Sequence, residues 1–360
     1  MKIGPYIPIL RWKEAERQAL SKLFDNERAI ITPLIEPVIL SESKSVEQLA
    51  ESLPAGILEC WGRKELLLDP HLLGDSHPNS EHTLLNILRR RFEKTSSRIT
   101  PVTGLSRSVD YQEAITSFAA TSNTGVCIRL FQADFMDRTL SEKLEALLKL
   151  LKQRPSSVDL LLDFRSIFRL KQPDWNQICG SLPNITSWRN VIAASGAFPR
   201  DLTETTDGQS MKPGVHRFSR TDWTSWEEYV RKKNLPRSPL YADYATQWAL
   251  VRKPIPVPNI SASIRYTCED AWLVMRGEGM MKEGSSGAKQ YLGHAKLLVG
   301  KREFCGASFS AGDAYIEEKS RDLTSKKTGN ARTWLEAGIN HHLTFAARQV
   351  ANQISSKAPV

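Results

Sequence analysis

Eight short apolar runs divide the first 245 residues, and they constrain the fold more than any other feature. They are 6–10, 31–36, 65–69, 99–103, 125–129, 158–163, 190–195 and 239–243. Continuous apolar runs of this length suit strands buried on both faces, as in a parallel sheet. Helical patterns separate most of them. Ser45 with Gln48 forms a capping-box signal ahead of Leu49, Ala50 and Leu53. Leu84, Leu85, Leu88 and Phe92 share one face, and Leu140, Leu144, Leu147, Leu148 and Leu151 form the clearest stripe. Eight strands alternating with helices predict an α/β fold, a (β/α)8 TIM-like barrel. In such a barrel, polar residues at the carboxyl ends of the strands face the mouth where chemistry is done.

The rhythm changes after Ser195. The stretch 198–239 is polar, carries Arg231-Lys232-Lys233, and reads as an enlarged connection with a short helix, Trp223 and Trp226 being packing anchors. Pro254, Pro256 and Pro258 suggest an extended connector. Strands are expected at 264–267 and 271–276, a glycine- and serine-rich loop at 277–287, helix at 294–299, and a final helix at 334–354. The expected organisation is a barrel over 1–250, with a C-terminal extension over 251–360 packed on it.

Composition excludes several classes. The 25% of charged residues and 41% of apolar ones belong to a globular chain, not a disordered one. The formal net charge of +9 favours acidic partners such as nucleic acid or a phosphorylated ligand, although no basic block of the tail type is present. Five cysteines, odd in number and widely spaced, contain no C-x-x-C pair, which supports neither a zinc knuckle nor a redox motif and suits a reducing cytoplasm. No apolar run reaches the ~18 residues needed to cross a bilayer, and the start of the sequence lacks a leader pattern. The expectation is a cytoplasmic protein with no membrane partner.

Candidate site residues follow from the strand ends. Glu36, Asp69 and Asp163 could hold a divalent metal such as Mg²⁺ or Mn²⁺, which prefers oxygen ligands. Arg11, Lys13 and Arg129 could bind phosphate or another anion. Asp163, Asp243 and His341 are the candidates for proton transfer. A plainer reading stands beside this one. Asp69 and Glu36 precede prolines and suit turns, and adjacent His341 and His342 lie about 100° apart on a helix, which does not make a two-ligand metal face.

The combination Tyr6-Ile7-Pro8-Ile9-Leu10-Arg11-Trp12-Lys13, Ile31-Thr32-Pro33-Leu34-Ile35-Glu36, Asp159-Leu160-Leu161-Leu162-Asp163, Gly312-Asp313, Trp334 and Asn340-His341-His342 resembles the protein beta family of satellite coliphage and bacterial prophages. The resemblance covers essentially the whole chain. Relatives often carry Lys at the position of Arg11. It implies a mobile-element gene beside a host-killing gene whose product the beta protein restrains, in a cassette acting against competing phages. It brings no catalytic residues with it. Two readings are therefore open: a partner that restrains the neighbouring killer protein, or a metal-dependent phosphodiesterase or nuclease working on an anionic substrate at the barrel mouth.

Overall fold

The structure is a computed structural model that describes residues 3–39, 45–74, 80–92, 98–232, 235–250 and 259–356. The proline connector at Pro254, Pro256 and Pro258, and Lys233, lie outside the described residues. The strands are β1 (Tyr6–Arg11), β2 (Leu34–Glu36), β3 (Leu66–Leu68), β4 (Ile99–Thr103), β5 (Val126–Phe131), β6 (Val158–Ser166), β7 (Asn190–Gly196), β8 (Gly214–Ser219), β9 (Leu240–Asp243), β10 (Ser261–Thr267) and β11 (Ala271–Gly279). The helices are α1 (Glu14–Ser21), α2 (Asp25–Ile30), α3 (Val46–Cys60), α4 (His71–Gly74), α5 (Ser80–Phe92), α6 (Val109–Ser122), α7 (Gln132–Phe135), α8 (Leu140–Leu150), α9 (Trp175–Ser181), α10 (Thr221–Val230), α11 (Gln290–Val299), α12 (Ala311–Ser320) and α13 (Ala331–Ser355).

Strands β1 to β7 and β9 close a parallel barrel, β9 returning to pair with β1 through Pro8↔Asp243. All eight apolar runs supply its staves. Side chains alternate between two compartments, as the twofold period of a strand requires. Ile7, Ile9, Leu34, Leu67, Val102, Cys127, Leu161, Ile192 and Ala242 fill the barrel interior. Their strand neighbours, among them Tyr6, Leu10, Ile35, Leu66, Leu68, Ile128, Leu160 and Tyr241, face the surrounding helices. The capping box at Ser45 and Gln48 starts α3.

The second sheet has the order β10-β11-β8 and is antiparallel. Its β8 strand comes from inside the 198–239 stretch, so the enlarged connection and the C-terminal strands build one layer together. The final helix does more than pack on the outside. Ile339, Leu343, Ala346, Ala347 and Val350 of α13 belong to the same core as Ala19 and Leu20 of α1. Asn340 ties this corner: its amide donates to the Ala19 carbonyl at 2.9 Å and its oxygen accepts from the Gly312 N–H at 2.8 Å.

Candidate functional site

Strand parity decides which charged side chains reach the mouth. Leu34 and Leu67 point inward, so Glu36 and Asp69, two residues further on, do too. Cys127 and Leu161 set the same direction for Arg129 and Asp163. The register Arg11↔Glu36 and Phe131↔Asp163 brings these strand ends to one level. There Arg129 meets all three acids. Its Nη1 donates to Glu36 Oε1 at 2.8 Å and to Asp69 Oδ2 at 2.7 Å. Its Nε donates to Asp163 Oδ2 at 2.8 Å, while Nη2 donates to the Tyr244 hydroxyl at 2.9 Å and lies 2.7 Å from Asp163 Oδ2. Tyr244 in turn donates to Asp163 Oδ2 at 2.6 Å. Four hydrogen bonds and one further 2.7 Å ion-pair contact thus engage all three guanidinium nitrogens. The cluster is buried, Arg129 being 2% exposed.

Burial on its own would drive the carboxyls toward their neutral form. It does so for Glu36, whose pKa is raised, Asp69 adding to the effect and Arg129 opposing it. Asp69 goes the other way. Burial pushes it up, but Arg107 and Arg129 outweigh that and hold it below the usual range. Ion pairs this deep offset their desolvation only with close geometry, and removing one partner of such a pair typically costs about 3–5 kcal/mol.

Each aspartate uses its second oxygen to organise the turn that follows. Asp69 Oδ1 accepts the His71 N–H at 3.1 Å, and Asp163 Oδ1 accepts the Arg165 N–H at 2.7 Å. These turns carry His71 and Arg165 into the mouth. Arg165 adopts a left-handed backbone with φ of 54° where the β6–β7 register shifts, a bulge that re-aims its side chain. Its guanidinium lies 3.9 Å from the centre of the Phe131 ring, and Nη2 is 2.8 Å from His71 Nε2. On the far side of the imidazole, Arg107 Nη1 is 2.5 Å from Nδ1. Burial, with Arg107, Arg129 and Arg165 adding to it against the opposing Asp69, lowers the His71 pKa to about 4. A cavity of about 260 Å³ opens here, lined by Glu36, His71, Leu72, Arg129, Arg165, Tyr244, Ala249 and Leu250. A larger cleft of about 400 Å³ runs between the segments after β5 and β6 and includes Phe135, Met136, Phe164 and Leu170. It gathers no comparable set of charges, its Asp174 being occupied in capping α9.

The family model described as Beta protein matches residues 6–348. The chain belongs to the Beta protein family. No curated protein matches it. Among solved structures, an endo-beta-N-acetylglucosaminidase from Cordyceps militaris in apo form is similar at a TM-score of 0.36 and 9% identity, over 68% of this chain and 82% of that one. A likeness this loose has no bearing on chemistry.

In this Beta protein several assignments expected from strand position are corrected. Glu36, Asp69 and Asp163 do converge, but on the Arg129 guanidinium, which occupies the focus a divalent ion would need. Among the described residues, no group of three or more His, Cys, Asp and Glu side chains is placed to hold a metal. The donor set does not fit Mg²⁺ or Mn²⁺. Arg129 has all three of its nitrogens engaged within the cluster. Arg11 gives Nη2 to the Trp248 and Ala249 carbonyls, at 2.7 and 3.1 Å, and so anchors the loop that roofs the cavity. Lys13 sits half-buried before α1, its pKa lowered by burial, and is not among the cavity-lining residues. His71, Arg107, Arg165 and Tyr244 went unread in the sequence.

Asp243 and His341 belong elsewhere. Ala242 points into the barrel, so Asp243 points out, under α13. It accepts from the Tyr6 hydroxyl at 2.8 Å and from His342 Nε2 at 2.9 Å. Burial lowers the His342 pKa, against the pull of Asp243, and its Nδ1 faces the Thr267 hydroxyl at 2.9 Å. His341 lies behind it, with Nδ1 2.8 Å from Asp313 Oδ2 and Nε2 2.9 Å from the Thr267 carbonyl, stacked on Tyr266. Both histidines are fully buried. They join α13 to β9, β10 and α12, and neither reaches Asp163.

Proposed function

We propose that this Beta protein restrains a host-killing protein encoded beside it, acting in the cytoplasm of the host as part of an anti-phage cassette, and that the barrel mouth is its working surface. The genetic setting is what family membership implies. The observation that supports a binding role at the mouth is the closure of Glu36, Asp69, Asp163 and Tyr244 on all three guanidinium nitrogens of Arg129. Such a cluster is a rigid floor. Among the described residues it offers no metal position, and the rim above it presents Arg165 and His71 to a cavity. Restraint then works by capturing an anionic group, carried by the killer or by its product, rather than by metal-assisted hydrolysis. The cytoplasmic assignment draws on five unpaired cysteines, four of them buried, and among the described residues no helix is long and apolar enough to cross a membrane.

Co-expression with the neighbouring gene tests this. Wild type should rescue growth, and Arg165→Ala, which changes a half-buried rim side chain, should lose most of the rescue while accumulating as folded protein. Full rescue by folded Arg165→Ala would remove the mouth from the mechanism. A failure of wild type to rescue growth would remove restraint altogether.

A further inference from the structure

The Arg107–His71–Arg165 row contains a hydrogen-bonding conflict that identifies a ligand class. Both guanidiniums are donors only. A neutral imidazole has one acceptor nitrogen and one N–H, and a protonated imidazole has no acceptor at all. Whichever nitrogen carries the proton, one of the two contacts sets N–H against N–H. Arg107 Nη1 lies 2.5 Å from Nδ1, a contact that is satisfied when Nδ1 is the acceptor. Nε2 then carries the hydrogen, and it faces Arg165 Nη2 at 2.8 Å. Two donors converge beside the cavity with no acceptor between them.

The neighbouring charges strengthen this. Among the described residues Arg165 has no carboxylate within ion-pair distance, and its approach is set by the bulge and the Phe131 ring. Arg107 is 7% exposed at its side chain, yet its nearest carboxylates, Asp69 and Glu81, stand at 3.5 and 3.6 Å, longer than a charge-assisted hydrogen bond. Its Nε is buried with no partner. Arg129 is engaged on all three nitrogens and Arg107 has two carboxylates nearby, whereas Arg165 has no ion-pair partner among the described residues.

We propose that the barrel mouth is a binding site for a phosphate monoester, whose terminal oxygens sit between Arg165 and His71 Nε2. The planar fork of Arg165 suits two oxygens of one phosphate, and the imidazole N–H takes a third. A cavity of about 260 Å³, with Leu72, Ala249 and Leu250 in its wall, admits a small group attached to that phosphate. This deepens the reading of the mouth as the working surface, but its test needs only the purified chain, so either can fail alone.

Isothermal titration calorimetry of the full chain near pH 7.5 and about 0.1 M salt is the experiment, with inorganic phosphate, AMP, a 5′-phosphorylated pentanucleotide and adenosine as probes. Phosphate and AMP should bind and adenosine should not. Arg165→Ala should weaken AMP about ten-fold or more, the scale of one lost charge-assisted pair. Arg165→Lys, which keeps the charge and the fold but loses the fork, should fall between. Tighter binding of AMP than of the pentanucleotide assigns the site to free small molecules, the reverse to chain ends; both uphold the site. Absence of heat with phosphate and AMP at millimolar concentration, equal binding of adenosine and AMP, or undiminished binding by Arg165→Lys together with Arg165→Ala would each overturn it.

Discussion

Arg129 and Asp222 are both buried charges in one chain, and the fold treats them in opposite ways. Arg129 is saturated with partners. Asp222 is 1% exposed, its Oδ1 has no hydrogen-bond partner, and its Oδ2 accepts a long bond from the Tyr241 hydroxyl at 3.4 Å. Burial raises its pKa to about 7, with Arg220 opposing and Asp243 assisting. The sign of the linkage follows. Between the unfolded value near 3.8 and about 7, the folded state holds a proton that the unfolded state has released. Stability therefore falls as pH rises through that window, and above it the carboxylate's desolvation is fully felt. Asp222→Asn removes the ionisation while keeping the shape. Its effect should be stabilising at both pH values and larger near pH 8 than near pH 5 by roughly 2–3 kcal/mol, read from urea midpoints at the two pH values. An equal effect at both would show that Asp222 is not the source. His71 acts in the other sense. With its pKa lowered to about 4, its contribution is present above about 6.5 and is lost as pH falls toward 4.

Helices in this protein approach their neighbours closely where glycine permits it, and the same residue type elsewhere is only a weakness. A Cβ on Gly338 of α13 would stand 2.6 Å from the Arg265 carbonyl oxygen of β10. Gly293 of α11 is exposed and meets nothing within 4 Å. Alanine should improve either helix by up to ~1 kcal/mol through propensity alone. At Gly338 that gain is outweighed by overpacking against backbone, about 1–3 kcal/mol or more. Gly338→Ala should therefore lower the denaturation midpoint and Gly293→Ala should raise it. A rise in both would mean that α13 can slide on β10. The elements that sequence reveals are those whose own residues carry the pattern. The eight staves are legible because they are buried on both faces and stay apolar throughout. Strand β8 is not, since its burial comes from pairing with β11 and only Phe218 is buried along it. Helix α12 is hidden likewise, with a polar sequence capped by Ser310 and seated against α13 through Gly312. At the mouth, Glu36, Asp69, Arg129 and Asp163 were legible as strand ends. Their mutual neutralisation was not, because it depends on register across four strands. His71 and Arg165 sit two residues beyond Asp69 and Asp163, but a turn and a left-handed bulge, not strand alternation, bring them to the mouth, and neither has a pattern in the sequence.

At the scale of the whole molecule, closing the barrel depends on residues a hundred positions beyond its last strand. The helical layer beside β1 is supplied by α13, whose Ile339, Leu343, Ala346, Ala347 and Val350 cover Tyr6, Leu10 and Leu20 in a continuous core. Polar ties follow the same path: His342 to Asp243 on β9, Asn340 to the Ala19 carbonyl, and Arg348 to Glu27 at 2.9 Å. Strand β8 adds a reverse tie, since it leaves the barrel before β9 and joins the C-terminal sheet. A cut after residue 250 would thus strip one face of the barrel of its cover. It would also leave Asp243 buried beneath nothing, and β8 without its only strand partner among the described residues. Losing five buried apolar side chains of α13 removes on the order of 5–10 kcal/mol of burial, comparable with the whole stability of an ordinary domain. The fragment 1–250 should accordingly fail to fold on its own, binding a hydrophobic dye and showing no cooperative thermal transition. A monomeric 1–250 with a sharp transition and near-ultraviolet circular dichroism like that of the full chain would show instead that the barrel is an independent unit, and that α13 is a cover added to a core already complete.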